Sequence, residues 1–173
     1  GNFVNRCLTF FFKNWKEGIA EEHFLSFFET EAFSDMQSQI KTINETLDNI
    51  QVKRALEQIM HLGQTANTFF SDNAPWAQIK EDNDLAAKTI AHSAVYTLVL
   101  ASLFKPYLPT LSKSIFEYFG DIDDEMVKDL YMGEFDSFKN YVCGGVHLVK
   151  KPKGLVQKID HDRIEELKAD LLN

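Results

Sequence analysis

The sequence has little of what disulfide-bonded, metal-rich or membrane proteins need. Two cysteines among 173 residues, Cys7 and Cys143, are too few for a disulfide framework or a cysteine-rich zinc site. Their scarcity favours a reducing compartment, and we expect a cytoplasmic protein. No run of about 18 apolar residues occurs, so the sequence predicts no membrane-spanning segment and no membrane partner.

Basic residues are also fewer than acidic ones, with 18 Lys and Arg against 26 Asp and Glu. The formal net charge is −8, which argues against a protein whose surface coats nucleic acid electrostatically. Any contact with RNA therefore has to be local and carried by a few residues. The sequence begins without Met and inside an amphipathic pattern, from which we expect a piece of a longer chain.

Catalytic and metal-binding motifs are missing as well. There is no G-x-S-x-G turn, no Cys beside a His, and no G-x-x-x-x-G-K phosphate loop. The five histidines lack the spacing that places two ligands on one helix face, and "DHD" at 160–162 is better explained as a helix cap. We therefore expect no metal, catalytic residue or bound cofactor in this chain, and we interpret the acidic run at 121–125 as a solvated loop.

What the sequence does have is helical periodicity. Apolar residues recur every three to four positions through the first 120 residues, which predicts an all-α bundle. A long helix that ends near residue 104 is apolar nearly all round in its C-terminal half, and we expect it at the bundle centre. Gly63, in the middle of another helix, favours a close approach of two helices. The predicted helices cover about 2–16, 33–50, 51–70, a short turn from 75, a long stretch ending near 104, and 110–120.

The pattern changes after Gly120. "DIDDEMVKDLYMGEFDSFKNY" is acidic and irregular, and "GGVHLVKKPKGLVQKID" has short β-like runs on either side of a Lys/Pro/Gly turn. "HDRIEELKADLL" predicts a final helix. We accordingly divide the chain into a helical bundle at 1–120 and a C-terminal extension at 121–173.

The first helix has a polar face that carries cations and no acidic residue. Taken alone, such a face is usually the solvent side of a bundle helix. In an acidic chain it is also a candidate surface for RNA. Its members are Asn2, Asn5, Arg6, Thr9, Lys13 and Lys16.

The stretch "SDNAPWAQIK" at 71–80 is the second feature of interest. Asp72 or Asn73 is the expected cap of a short helix with Pro75 in its first turn. Composition and spacing alone favour Trp76 as a core residue. An exposed indole at such a turn would instead be a platform for base stacking, and Asn and Arg side chains can read the edges of an unpaired base.

Several motifs are found together in one known family. They are "GNFVNR" at 1–6, "ANTFFSDNAPW" at 66–76, "LFKPYLPTLSKSIFEYFG" at 103–120 and "HLVKKPKGLVQKID" at 147–160. With these motifs the chain resembles the anticodon-binding domain of methionyl-tRNA synthetase, a class I aminoacyl-tRNA synthetase. The Asn…Ala-Pro-Trp element is the most specific of them.

The resemblance implies an all-α anticodon-binding bundle that reads the CAU anticodon of methionine tRNA. It implies that Trp76, on a turn shaped by Pro75, stacks on the first anticodon base, and that Asn5 bonds to anticodon bases. Many bacterial members carry an arginine where this chain has Thr9, and Arg6 is the candidate to replace it. Phosphate contacts are expected from Lys13, Lys16 and Lys80.

The resemblance does not extend to catalysis. No H-I-G-H or K-M-S-K-S element occurs, and we interpret "TLSKS" at 110–114 as the cap and first turn of a bundle helix. The chain is therefore not expected to form methionyl-adenylate. The parent enzyme would be an ATP-dependent methionine–tRNA ligase that uses ATP and magnesium. Expected partners are methionine tRNA, through its anticodon loop, and the catalytic domain of the same chain, toward which the extension returns; DNA is not expected.

Two alternatives remain open. One is a helical protein-interaction or adaptor module, which would use an apolar groove and leave Trp76 buried. The other is the anticodon domain of a sister class I synthetase that reads a different anticodon.

Overall fold

The computed structural model describes residues 2–120 and 122–154. Over these ranges the chain is helical, with no β-strand and one antiparallel bridge between Ile19 and Val146. The helices are α1 Asn2–Asn14, α2 Glu21–Leu25, a 3-10 helix at Ser26–Glu29, α3 Glu31–Asp48, α4 Val52–Asn73, α5 Pro75–Glu81, α6 Asn83–Phe104, α7 Pro109–Phe119, α8 Asp124–Met132 and α9 Asp136–Tyr141. The all-α bundle is thus confirmed.

Helix α6 forms the centre of the bundle, as the sequence predicts. It packs against α1, α2, α4, α5, α7 and α8. Its hydroxyl groups bond inside the helix: Ser93, Thr97 and Ser102 each donate to the carbonyl oxygen four residues earlier. These bonds remove the penalty for burying the hydroxyls. Within the described residues α6 is the one helix long and apolar enough to cross a membrane, but 89% of its apolar window is buried inside the protein, as in a core helix.

The end of α1 differs from the prediction. The helix stops at Asn14 rather than near residue 16, and the chain turns through Gly18 at φ 103°. A Cβ atom at Gly18 would lie 2.7 Å from the carbonyl oxygen of Val146, so only glycine fits this close approach. Ile19 then bonds to Val146 through both backbone groups, at 2.8 and 2.9 Å. This bridge ties the start of the chain to its C-terminal region.

The expectation of a close helix approach at Gly63 is wrong. Among the described residues outside its own helix, a Cβ atom there would meet only a methyl of Leu100, at 3.9 Å, which is an ordinary van der Waals contact. Alanine would therefore fit without any movement. Gly63 instead forms part of the wall of an apolar groove described below.

The acidic stretch after Gly120 is also not irregular, because α8 and α9 lie within it. Asp123 caps α8 by accepting a hydrogen bond from the backbone N–H of Met126 at 2.8 Å, so the end of the acidic run, from Asp124, belongs to a helix rather than to a loop. Met126, Val127 and Leu130 then form the buried stripe. The helices α8 and α9 share one core with the bundle.

The β-like runs are not supported. Residues 146–154 contain the single bridge at Val146 and no strand. The second run, "GLVQKID", lies outside the described residues from Leu155 onward, as do the predicted final helix and the "DHD" cap. The division at 120 remains a prediction.

Candidate nucleic-acid interface

A rigid turn joins α4 to α5. Helix α4 continues to Asn73, and Ala74 adopts a left-handed conformation with φ 44°. Pro75 then occupies the first position of α5, where its missing N–H costs nothing. The predicted caps are wrong: the amide of Asn73 donates back to the Phe69 carbonyl at 2.8 Å, and α5 begins without a side-chain cap. Two constrained residues in succession fix the direction in which α5 starts.

Trp76 comes directly after this turn and is half exposed. Its relative exposure is 43%, so its interpretation as a core residue is wrong. The indole is covered on the protein side by the Phe70 ring, whose centroid lies 5.8 Å away, and by the Arg6 guanidinium at 5.9 Å. The arrangement offers one aromatic surface at the end of α4.

Arg6 connects three helices at this point. Its Nη2 donates to Asn67 Oδ1 at 3.2 Å and to Ser71 Oγ at 3.0 Å, both on α4. The guanidinium carbon lies 5.0 Å from the centroid of Phe70. The Nε atom is buried and has no hydrogen-bond partner among residues 2–120 and 122–154. The side chain therefore reaches across to α4 and α5.

The other predicted residues of the α1 polar face differ in exposure. Asn5 is half-buried, and its amide has no hydrogen bond to any side chain or backbone group that the structure describes. Thr9 is exposed one turn further along α1, and Lys13 is exposed one turn beyond it. Because the helix ends at Asn14, Lys16 lies in the following turn rather than on the helix face.

The structure thus brings some predicted residues together and leaves others apart. Arg6, Pro75 and Trp76 form one cluster, and Asn5 adjoins it on α1. Lys13 lies seven residues beyond Arg6, about 10 Å along the helix. Lys80 is exposed in the last turn of α5. Within the described residues none of Lys13, Lys16 and Lys80 forms an ion pair.

Three residues of the cluster were missed as site residues: Asn67, Phe70 and Ser71. They occupy one face of α4, at spacings of three and four. The signal was present in "ANTFFSDNAPW", in which the polar residues Asn67 and Ser71 share a helix face with the apolar Phe70. The sequence did not reveal that this face would meet an arginine from α1.

A groove of about 740 Å³ adjoins the cluster on its other side. It lies between α1, α4, α6 and α7, and Asn67 forms part of its rim. Its wall is mostly apolar, and it includes Phe3, Met60, Leu100, Phe104, Leu108 and Leu111.

Comparison with known proteins agrees with the motifs. A family model of the anticodon binding domain of methionyl tRNA ligase matches residues 22–171, which include α4, α5 and Trp76. The chain is 28% identical over 172 residues to a methionine–tRNA ligase of Methanococcoides burtonii, covering 98% of this chain and 23% of that protein.

Two further relatives give the same result. The chain is 30% identical over 164 residues to the methionine–tRNA ligase of Pyrococcus abyssi, with 95% of this chain and 21% of the relative covered. It is 28% identical over 173 residues to the methionine–tRNA ligase of Methanocaldococcus jannaschii, with 99% of this chain and 24% of the relative covered. The alignments with the Methanococcoides and Methanocaldococcus proteins cover 98% and 99% of this chain and so include nearly all of α1, which precedes the family match. The chain spans less than a quarter of the length of these relatives.

Proposed function

Because the chain belongs to the family of anticodon-binding domains of methionyl-tRNA ligases, we propose that it recognises the CAU anticodon of methionine tRNA. The observation that carries the proposal is Trp76, whose indole is half exposed while Phe70 and Arg6 cover it from behind. An aromatic side chain in this position can accept an unpaired base without first rearranging the protein.

The roles follow from the chemistry of each side chain. Trp76 stacks on one base of the opened loop, a contact worth about 1–3 kcal/mol. Pro75 fixes the start of α5 and hence the position of the indole. Asn5 offers both a donor and an acceptor to a base edge, which Watson–Crick edges of splayed bases require. Thr9 lies one turn from Asn5 in the same site.

The phosphates of the loop are proposed to meet Lys13, Lys16 and Lys80. These cations are exposed and unpaired within the part of the chain that the structure describes. Three phosphate contacts would give a salt dependence of log Kd with a slope of only about 2 for a single strand. A modest slope suits a domain whose net charge is −8.

The activity of a whole methionine–tRNA ligase is a further proposal, since the chain spans under a quarter of its relatives. The catalytic domain, with its ATP and magnesium, would be another part of the parent protein, acting in the cytoplasm. This chain would contribute tRNA identity.

A panel of anticodon stem-loops tests the proposal. We expect the CAU stem-loop to bind at least ten-fold more tightly than a variant with one anticodon base changed, because Asn5 reads base edges. Trp76→Ala should weaken binding of the CAU stem-loop about ten-fold, since a stacked base is worth about 1–3 kcal/mol. Equal binding of both RNAs to the wild type would refute anticodon reading. A different preferred triplet would point to a sister synthetase.

The apolar groove is the observation that favours the adaptor alternative. An adaptor needs such a surface, whereas it does not need an acid-free polar face on α1 or an exposed Trp76. Met60 lines the groove and is 53% exposed, so Met60→Gln changes the groove with little effect on the core. We expect this variant to bind the CAU stem-loop as the wild type does.

A further inference from the structure

We propose that residues 146–154, together with the face of α7 against which they pack, form a second contact with RNA that binds backbone phosphates without reading bases. Residues 146–154 are called the basic strap below. This role rests on the proposed function, because that function supplies the RNA. It concerns a part of the chain that the cluster around Trp76 does not include.

The sequence around the basic strap is unusual for so acidic a chain. Asp and Glu account for 26 of 173 residues, yet none occurs from Ser137 to Ile159, a stretch that holds five lysines. Three of these, Lys150, Lys151 and Lys153, fall within four positions. Exposed cations without acidic neighbours are what a phosphate contact requires, because phosphates carry the negative charge of a nucleic acid.

The basic strap is fixed to α7 through Tyr118. The backbone N–H of Val149 donates to the Tyr118 carbonyl at 2.9 Å, and the backbone N–H of Lys153 donates to the Tyr118 hydroxyl at 3.0 Å. The same hydroxyl donates to the Lys153 carbonyl at 3.4 Å. Tyr118 is 6% exposed and Leu148 is 5% exposed, so both residues anchor the strap in the core. The lysines are therefore carried on backbone that is held in place.

Lys150 is the anchored member of the group. Its Nζ lies 2.6 Å from Glu117 Oε2 and 5.2 Å from the centroid of the Tyr118 ring. The hydrogen bond from Lys150 lowers the pKa of Glu117, and the charges of Lys150 and of Lys113, one turn earlier on α7, lower it further. Two cations thus act on one carboxylate at this point.

Three lysines around this ion pair are available to meet phosphates. All three are exposed, and within residues 2–120 and 122–154 none of them forms an ion pair: Lys113, Lys151 and Lys153. In the part of the chain that the structure describes, Glu117 is the one acidic residue that pairs with any lysine of this group. The group is therefore locally positive in a chain whose net charge is −8.

Backbone pairing places the basic strap near the end of α1. Ile19 bonds to Val146 through both backbone groups, at 2.8 and 2.9 Å. Lys16 comes three residues before Ile19. Lys150 comes four residues after Val146, so the Cα atoms of both lysines lie within about 14 Å of this bridge. The strap can therefore extend the phosphate contacts proposed for Lys13 and Lys16.

Salt dependence distinguishes phosphate contacts from base contacts. Each phosphate contact adds about 0.7–0.9 to the slope of log Kd against log salt concentration, so three more contacts should raise the slope from about 2 to about 4. They should add nothing to the preference for one anticodon, because phosphates carry no sequence information.

The test is a strap variant in which the three exposed lysines are replaced by glutamine: Lys113→Gln, Lys151→Gln and Lys153→Gln. Lys150 is retained because it anchors the strap. The matched control loses the same charge at exposed lysines that form no ion pair among the described residues: Lys41→Gln, Lys53→Gln and Lys128→Gln. Both variants are made in the 173-residue chain, and a full-length methionine tRNA transcript is the probe.

We expect the strap variant to bind the transcript about ten-fold more weakly than the control at about 50 mM salt, with a slope lower by about 2. The difference in affinity should nearly vanish at about 200 mM salt, because the lost contacts are electrostatic. Equal slopes and affinities for the two variants would overturn the proposal and would assign these lysines to a protein partner instead.

A second transcript with one anticodon base changed separates this result from the proposed function. The strap variant should prefer the CAU anticodon by the same factor as the wild type. Absence of that preference in the wild type would refute anticodon reading, while a lower slope in the strap variant would still support the strap. No binding of either transcript by the wild type at about 50 mM salt would refute both.

Circular dichroism checks that the variants fold. If the strap variant does not, the pair Lys151→Gln and Lys153→Gln takes its place, with Lys41→Gln and Lys53→Gln as its control. The slope should then fall by about 1.5, and an unchanged slope would overturn the proposal.

Discussion

The two ends of α4 invite comparison, because each is adjacent to a non-glycine residue with positive φ. At the N-terminal end this residue is Ile50, at φ 58°, and at the C-terminal end it is Ala74, at φ 44°. Each end also exposes a large apolar side chain: Ile50 is 84% exposed and Trp76 is 43% exposed. By exposure alone, Ile50 would be the more prominent candidate for a binding surface.

What differs is the support behind the exposed side chain. Arg6 and Phe70 lie behind Trp76, and Asn67 and Ser71 hold Arg6 in place. For Ile50 the structure shows only backbone hydrogen bonds that close the turn, from Ile50 to Leu47 and from Gln51 to Thr46. We conclude that an exposed apolar group becomes a candidate site when neighbouring groups fix its orientation.

The largest difference between the two ends is expected in stability. Phe70→Ala removes a ring that is 1% exposed and should lower the free energy of unfolding by about 3–5 kcal/mol. Met60→Ala, nearer the other end and 53% exposed, should lower it by less than about 1 kcal/mol. Urea unfolding measures both. Similar losses for the two variants would show that the two ends are packed alike.

Lowering the pH is expected to destabilise the protein through His92, which contacts the C-terminal end of α4. This histidine of α6 stacks on Phe69, with centroids 6.1 Å apart, and its Nε2 lies 2.9 Å from Ser26 Oγ. Burial lowers the pKa of His92 from 6.5 to about 4. Above pH 6.5 the ring is neutral in both the folded and unfolded states. Between pH 6.5 and 4 the imidazole is protonated in the unfolded state but remains neutral in the folded state. The free energy of unfolding therefore decreases as the pH is lowered through this range.

The size of the effect follows from the pKa difference. His92 should account for a loss of up to about 3 kcal/mol between pH 6.5 and 4, on the order of 1.4 kcal/mol for each pH unit. The matched control is His92→Gln, which can still bond to Ser26 but does not titrate. Unfolding in urea at several pH values should show a shallower pH dependence for this variant. Identical pH profiles would contradict the assignment.

The smallest effect on stability is expected at Ile50, in the turn before the N-terminal end of α4. Ile50 is β-branched and exposed, so its positive φ is strained with no compensating burial. Ile50→Gly should raise the free energy of unfolding by about 0.5–1 kcal/mol, after allowance for the entropy of glycine in the unfolded chain. It should leave the affinity for the CAU stem-loop unchanged. A loss of affinity would mean that RNA also contacts this end.

Some elements of the fold could be predicted from the sequence and others could not. The all-α bundle and the central place of α6 could be predicted, because their apolar periodicity extends over several helical turns. Helices α8 and α9 could not, because the density of acidic residues hid a short apolar stripe at Met126, Val127 and Leu130. An acidic residue that caps a helix looks, in sequence, the same as one in a solvated loop.

The candidate site was predicted in part. The proline–tryptophan turn was visible as a local motif, but the left-handed Ala74 was not, since alanine rarely adopts that conformation. The contact of Arg6 with α4 could not be predicted for a different reason. It joins Arg6 to residues 61 and 65 positions later in the chain, a pairing that only the packing of α1 on α4 creates.

The central claim is that Trp76 is open in the free protein and covered by a base in the complex. Iodide quenching of the Trp15→Phe variant, titrated with the CAU stem-loop, tests it directly, because Trp76 is then the sole tryptophan. We predict that iodide quenches Trp76 efficiently without RNA, and that saturating stem-loop quenches the remaining emission by stacking and shields it from iodide. An indole whose emission and iodide accessibility do not change at saturating RNA would contradict the account.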